Sequence, residues 1–266
     1  FGGFDDWRLP TIKELSTLVN AGIISSWPTI DEGWFPNTVS SRYWSSTADT
    51  YDTSSAWHVY LYGGVVNTHS KLNDYYVRAV RAGQSGSFGN LIDNTDGTVT
   101  DPQTGFMWQK ETAPGTYTWQ EALSYVQALN GENYLGYSDW RLPNRNELQS
   151  LVDYSQCSPS IDPFLETDTV SSFYWSSTTC ASATDGVWCV HFNRGHVHYG
   201  YKPHNYYVRA VRGGQGAPTG DIVCKLDFGR VGDQIDLSLI FQLSPLADQL
   251  INFMTYWQDA NIRDKI

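Results

Sequence analysis

Apolar residues fall into three kinds of run along the chain. The first is helical. After Thr118, the residues Trp119, Ala122, Leu123, Val126 and Leu129 recur at helical spacing. Glu121 completes a capping box with Thr118, and Asn130-Gly131 supplies the stop. Leu15, Leu18 and Val19 form one apolar face behind Thr11-Ile12-Lys13-Glu14; Leu148, Leu151 and Val152 do the same behind Asn144-Arg145-Asn146-Glu147, and both lead-ins are capping boxes. The second kind of run alternates. Trp188, Val190 and Phe192 share a strand face, and Val77, Val80, Val208 and Val211 fall in final strands. Leu91-Ile92 and Thr98-Val99-Thr100 flank Asp93-Asn94-Thr95-Asp96-Gly97, a hairpin because Gly accepts positive φ cheaply. The third run starts at Gly220. Ile222, Cys224, Leu226 and Phe228 alternate, as do Ile235 to Leu243, and Ser244-Pro245 opens a helix with Leu246, Leu250, Phe253 and Trp257. Helices early and short antiparallel strands late predict an α+β fold with two helices in a full unit.

The pattern is duplicated. Trp7-Arg8-Leu9-Pro10 recurs as Trp140-Arg141-Leu142-Pro143, Tyr43-Trp44-Ser45-Ser46-Thr47 as Tyr174-Trp175-Ser176-Ser177-Thr178, and residues 75–81 recur identically at 206–212. The copies are unequal: about fifty residues lead into the second Trp-Arg-Leu-Pro, and six into the first. The expected organisation is a first copy at 1–82 lacking its N-terminal half, a Gly-rich linker at 83–89, and a complete copy at 90–213. A second linker follows at 214–219, then a tail at 220–266 that is a strand–strand–helix unit or the start of a further domain. Either the first half of copy one is missing, or another segment supplies it.

Composition narrows the partners. A net charge of −11 disfavours nucleic acid and anionic membranes, and no apolar run reaches the length of a membrane span. Aromatic residues make up 15%, with 11 Trp and 17 Tyr, which suits binding surfaces as well as loop-rich cores. Cys157, Cys180, Cys189 and Cys224 form no Cys-x-x-Cys pair; their even number suits disulfides in an oxidising compartment, with the pairing open.

Several motifs carry a family resemblance: Asp-Gly-Thr-Val-Thr-Asp at 96–101, Thr-Gly-Phe-Met-Trp at 104–108, Thr-Trp-Gln-Glu-Ala at 118–122, Tyr-Ser-Asp-Trp-Arg-Leu-Pro at 137–143, Tyr-Trp-Ser-Ser-Thr and Tyr-Val-Arg-Ala-Val-Arg. Together they resemble the Lcl-type C-terminal domain, over residues 88–213 in full and 1–82 in part. The resemblance implies tandem C-type-lectin-like domains on bacterial extracellular proteins, among them adhesins for sulfated polysaccharides. This chain departs in charge, since sulfated ligands want basic pockets and the chain is acidic.

Candidate contact residues are those that differ between the copies on outward strand positions. They are His191, Asn193, Arg194, His196, His198, Tyr199, Tyr201 and His204 in copy two, and His58, Tyr60, Tyr62 and Asn67 in copy one. Their chemistry suits stacking and hydrogen bonding; the plainer reading is drift of solvent-facing residues. Asp93, Asp96 and Asp101 are the weak candidates for a metal, calcium, at a spacing unlike an EF-hand; the hairpin turn is preferred and no cofactor is expected. The repeated Arg8, Arg78, Arg81, Arg141, Arg209 and Arg212 read as structural, with Asp6 and Asp139 as partners. Ser45, Ser46, Ser176 and Ser177 lack a nucleophile elbow.

The expected function is a non-enzymatic, adhesin- or lectin-like module, extracellular or at the cell surface, that binds a glycan or a surface protein. The first alternative is a structural subunit of a larger surface assembly, self-associating through the incomplete copy or the tail. The second is a formylglycine-generating-type oxidase, for which Cys180 and Cys189 are the only close pair.

Overall fold

The computed structural model describes residues 3–22, 28–81 and 91–213. The expected linkers at 83–89 and 214–219 and the tail at 220–266 lie outside the described residues. The described residues belong to one compact unit.

Copy one contributes the helix α1 (Ile12–Ser16) and the strands β1 (Arg42–Ala48), β2 (Ser55–Tyr60) and β3 (Val65–Ser70). Copy two starts with β4 (Ile92–Asp93), β5 (Thr98–Thr100), β6 (Phe106–Gln109) and α2 (Trp119–Gly131). Then follow α3 (Arg145–Ser150), α4 (Pro163–Glu166), β7 (Phe173–Thr179), β8 (Gly186–His191), β9 (His196–Tyr201) and β10 (Val211–Gly213). The protein is α+β, with antiparallel sheets and few helices.

The helices start where local chemistry dictates. Thr11, Thr118 and Asn144 each accept from the backbone N–H of a Glu three residues on, and that Glu returns to the cap's own N–H. In two of these boxes the carboxylate also binds the Arg of Trp-Arg-Leu-Pro. Arg8 meets Glu14 at 2.5 Å, and Arg141 meets Glu147 at 2.6 Å. The Arg8 guanidinium holds the Glu14 carboxyl down to about 2. Copy two also has a helix that periodicity did not predict, α4, whose Asp162 cap and Pro163 at the first position make up for its four-residue length.

The two copies build one sheet. Its strand order is β1-β2-β3-β9-β8-β7, with copy one on one side and copy two on the other. They join where Val66 of β3 pairs with Val197 of β9. Val197 is the counterpart of Val66 in the repeat, 131 residues on. Beneath the sheet lies one continuous core containing Leu15, Val19, Trp57, Val59 and Val66 from copy one with Leu148, Val152, Trp188, Val190 and Val197 from copy two. The copies therefore share an interior and do not stand as separate beads.

Polar contacts cross this seam as well. The Arg145 guanidinium is fully buried, donates to the Gly64 carbonyl at 2.8 Å and lies 4.9 Å from the Trp188 ring. Lys13 Nζ donates to the Ser150 carbonyl at 2.9 Å, and burial pushes its ammonium down to about 7. Gly64 and Gly195 both have positive φ, and a Cβ would meet Val19 at 2.7 Å and Val152 at 2.5 Å respectively. These hairpins sit too close to the segments that follow α1 and α3 for any larger residue.

A second, smaller sheet, β10-β6-β5-β4, belongs to copy two alone. Its Val99, Phe106, Trp108 and Val211 extend the shared core, while α2 covers a second core of Ala122, Val126, Leu129, Trp140, Leu142, Trp175, Val208 and Ala210. Copy one has no counterpart of β4, β5, β6 and α2 among the described residues. This corrects the expected final strand at Val77 and Val80. Val80 makes an isolated bridge to Arg8, and among the described residues no strand equivalent to β6 pairs with it.

The repeated arginines have structural partners. Arg81 meets Asp6 at 3.0 Å and Arg212 meets Asp139 at 2.6 Å. Arg209 is fully buried and donates to the carbonyls of Gln109, Lys110 and Asp168 and to the hydroxyls of Thr112 and Thr169. Among the described residues no disulfide forms: Cys157, Cys180 and Cys189 are free thiols, and Cys224 lies outside that set.

Candidate recognition face

Side chains alternate across the six-stranded sheet, and cross-strand partners share a face. One face carries Trp57, Val59, Val66, Trp188, Val190 and Val197 into the shared core. The registers His58↔Asn67, Tyr60↔Val65, His191↔His196 and Cys189↔His198 place those side chains on the opposite face. Tyr60, Asn67, His191, His196 and His198 are half-buried there, in a band that runs from β2 across the seam to β8.

The band rests on aromatic rings. Phe173 stacks on His191 at 4.1 Å and on Tyr206 at 5.0 Å, and Tyr206 covers Trp175 at 4.4 Å. On the copy-one side Tyr75, the counterpart of Tyr206, lies 4.5 Å from Trp44 and 5.2 Å from His58. The Arg42 guanidinium sits 4.4 Å over the Tyr60 ring. At the seam His196 lies 5.9 Å from His198 and 4.9 Å from Trp57 of the other copy. Gly200 is required beneath Tyr206: a Cβ there would come within 2.5 Å of the ring.

These histidines are held neutral. Burial pushes His196 and His58 down to about 4, and lowers His191 and His198 as well. The charges acting on His196 come from His198, His191, Arg194 and His58, all of one sign. A neutral imidazole presents one donor and one acceptor, so the band offers both kinds of hydrogen bond beside flat apolar rings.

The predicted contact residues do not form one site. His58 is 1% exposed, its Nδ1 bonded to the Asn67 carbonyl at 2.7 Å, and its ring stacks on both His69 and Tyr75; it is an interior residue. Tyr199 and Tyr201 alternate with His198 and so point to the other side of β9, where both are exposed. Tyr201 and His204 form an exposed pair at the sheet end. Asn193, Arg194 and Tyr62 lie at hairpin tips, with Arg194 stacked 3.5 Å over the Tyr51 ring and Tyr62 against Tyr60. Phe173, Tyr206, Tyr75, His69 and Arg42 are the neighbours that sequence reasoning missed. The signal for two of them was present: Tyr75 and Tyr206 open the identical heptapeptide.

The acidic cluster does not gather. Asp93 accepts from Lys110 and the Thr95 N–H, Asp96 from Thr98, and Asp101 from Gln103 and Thr104. Each carboxylate closes its own turn, and among the described residues no three His, Cys, Asp or Glu side chains meet as a metal site. The serine hydroxyls are likewise occupied: Ser45 and Ser176 donate to the carbonyls of Trp57 and Trp188 at 2.8 and 2.7 Å.

The family model of the Lcl C-terminal domain matches residues 1–81 and again residues 97–212. The chain belongs to the Lcl C-terminal domain family. No curated protein matches it. The two matches lie on the two halves of the six-stranded sheet, so the band crosses the junction between two Lcl C-terminal domain copies. Among the described residues no helix is long and apolar enough to cross a membrane.

Proposed function

We propose that this protein is a non-catalytic recognition module of C-type-lectin-like fold, displayed outside the cell, that binds a glycan or a protein surface. The observation that carries this reading is the half-buried band of Tyr60, Asn67, His191, His196 and His198 across the seam. Sugars and polar protein surfaces are held by stacking on rings and by paired donors and acceptors, and the band supplies both in neutral form. An acidic chain with uncharged histidines suits a ligand that is not a polyanion. Against the oxidase alternative, Cys189 is buried, its thiol pushed up to about 12 and bonded to the His198 carbonyl, which leaves little thiolate at neutral pH.

The test is a glycan array probed with the whole chain beside a His191→Ala/His196→Ala/His198→Ala variant. Binding of a defined glycan class with at least a tenfold loss in the variant is expected. If the folded chain binds no glycan, the lectin reading fails and a protein ligand takes its place. Equal binding by both proteins moves the site off the band.

A further inference from the structure

The chain has six histidines, and all of them fall among the described residues. They divide by what their ring nitrogens do. His58, His69 and His204 each hold Nδ1 in a hydrogen bond, to the Asn67 carbonyl and to the hydroxyls of Tyr75 and Tyr206 respectively. The rings of His191, His196 and His198 make no hydrogen bond among the described residues. A half-buried imidazole that bonds to nothing in the protein has its nitrogens left for something else.

Two of these three stand together. His196 and His198 are two residues apart on β9, so both project from the same face. Their ring centroids are 5.9 Å apart. Metal–nitrogen bonds of about 2.0–2.1 Å put the centroids of two imidazoles on one ion about 5–6 Å apart. The strand that carries them is held on both sides, by β8 along its length and by β3 at Val197. The spacing is therefore set by fixed backbone and not by a loop. His191 faces His196 from β8, but its ring is stacked on Phe173 at 4.1 Å. Among the described residues no third His, Cys, Asp or Glu side chain joins the pair.

We propose that His196 and His198 together bind one divalent transition-metal ion of the kind imidazole favours: zinc, nickel or copper. The protein supplies two nitrogens, and the other positions on the ion stay open to water or to an oxygen of whatever lies on the band. Copy one has Val65 and Asn67 at the equivalent positions, so the chain takes one such ion. Arg194 opposes it. The Arg194 charge acts on His196, although its guanidinium is drawn over the Tyr51 ring at 3.5 Å. The inference does not rest on a glycan or protein ligand at the band, and its test uses the metal alone.

The test is titration calorimetry of the whole chain, stripped with a chelator, against zinc chloride. One equivalent is expected, with affinity lower by more than about tenfold in His196→Ala and in His198→Gln. His204→Ala removes an exposed histidine at the sheet end and should leave the affinity unchanged. Arg194→Ala should tighten binding by about twofold, because it lifts a like charge. Melting curves verify that each variant is folded; zinc should raise the melting temperature of the parent chain and not that of the His196 and His198 variants. Calcium, which takes oxygen ligands, should give no heat. A folded chain that binds no zinc overturns the proposal. So does binding that survives both substitutions, which would place the ion elsewhere, as on the exposed Cys157 thiol. An equal loss in His204→Ala would reduce the effect to surface histidines at large, and also overturns it.

Discussion

The heptapeptide Tyr-Tyr-Val-Arg-Ala-Val-Arg stands at 75–81 and again at 206–212. In copy two Val208, Arg209, Ala210 and Val211 are wholly buried. In copy one Val77 is 59% exposed and Ala79 is also exposed. Yet the backbone runs the same way in both: Val80 bridges Arg8 as Val211 bridges Arg141, and Tyr76 meets Tyr43 as Tyr207 meets Tyr174. Identical sequence sets the local path of the chain; what docks on it sets burial and energy. The same arginine thus ties five groups together in copy two, and in copy one bonds Thr38 and lies over the Phe35 ring.

The sharpest way to break this comparison is the arginine pair. Arg209→Ala removes a buried donor shared by three carbonyls and two hydroxyls inside copy two. It should cost about 3–5 kcal/mol in urea denaturation. Arg78→Ala loses one hydrogen bond, to Thr38, and should cost about 1 kcal/mol or less. Similar costs would mean that copy one is as well covered as copy two.

Next in size is the join between the copies. Arg145→Ala removes the buried donor to the Gly64 carbonyl and the group packed on Trp188. A loss of about 2–3 kcal/mol is expected. One cooperative transition in the parent chain, read by tryptophan fluorescence, is the mark of a shared core. Two separate transitions in the parent would show that the copies are energetically independent.

A further expected effect is pH dependence. His58, His191, His196 and His198 have folded-state pKa values below the ordinary 6.5, with His58 and His196 near 4, through burial. Between those limits the unfolded chain binds more protons than the folded one, so stability is full above about pH 6.5 and falls as pH drops toward 4. The change should be on the order of 1 kcal/mol or more. His196→Gln should flatten the slope between pH 6.5 and 4; an unchanged slope would show that His196 is not held neutral.

The sequence made the local features legible and left the distant ones hidden. All three capping boxes are read within four residues, so Thr11, Thr118 and Asn144 could be placed without a structure. The β4–β5 hairpin was equally plain from Asp96-Gly97. The pairing of β3 with β9 was not, because the register between strands so far apart in sequence leaves no short-range trace. His58 looked like an outward strand residue; its burial depends on Tyr75, which a loop brings over it. Treating residues 191–201 as one patch also failed at Tyr199 and Tyr201, since a contiguous run on a strand must divide between two faces.

The pairing of Val66 with its own counterpart Val197 has one more consequence. A strand that meets its own repeat antiparallel is the geometry of an isologous homodimer, related by a two-fold axis through that pair. Here the dimer is written into a single polypeptide. A true homodimer must accept every interface change twice, once on each side of the axis. Covalent fusion lifts that constraint, and the residues about the axis have used the freedom: Arg145 stands opposite Ile12, His196 opposite Val65, and His198 opposite Asn67. Symmetry survives in the backbone and has been given up in the side chains that crowd the axis.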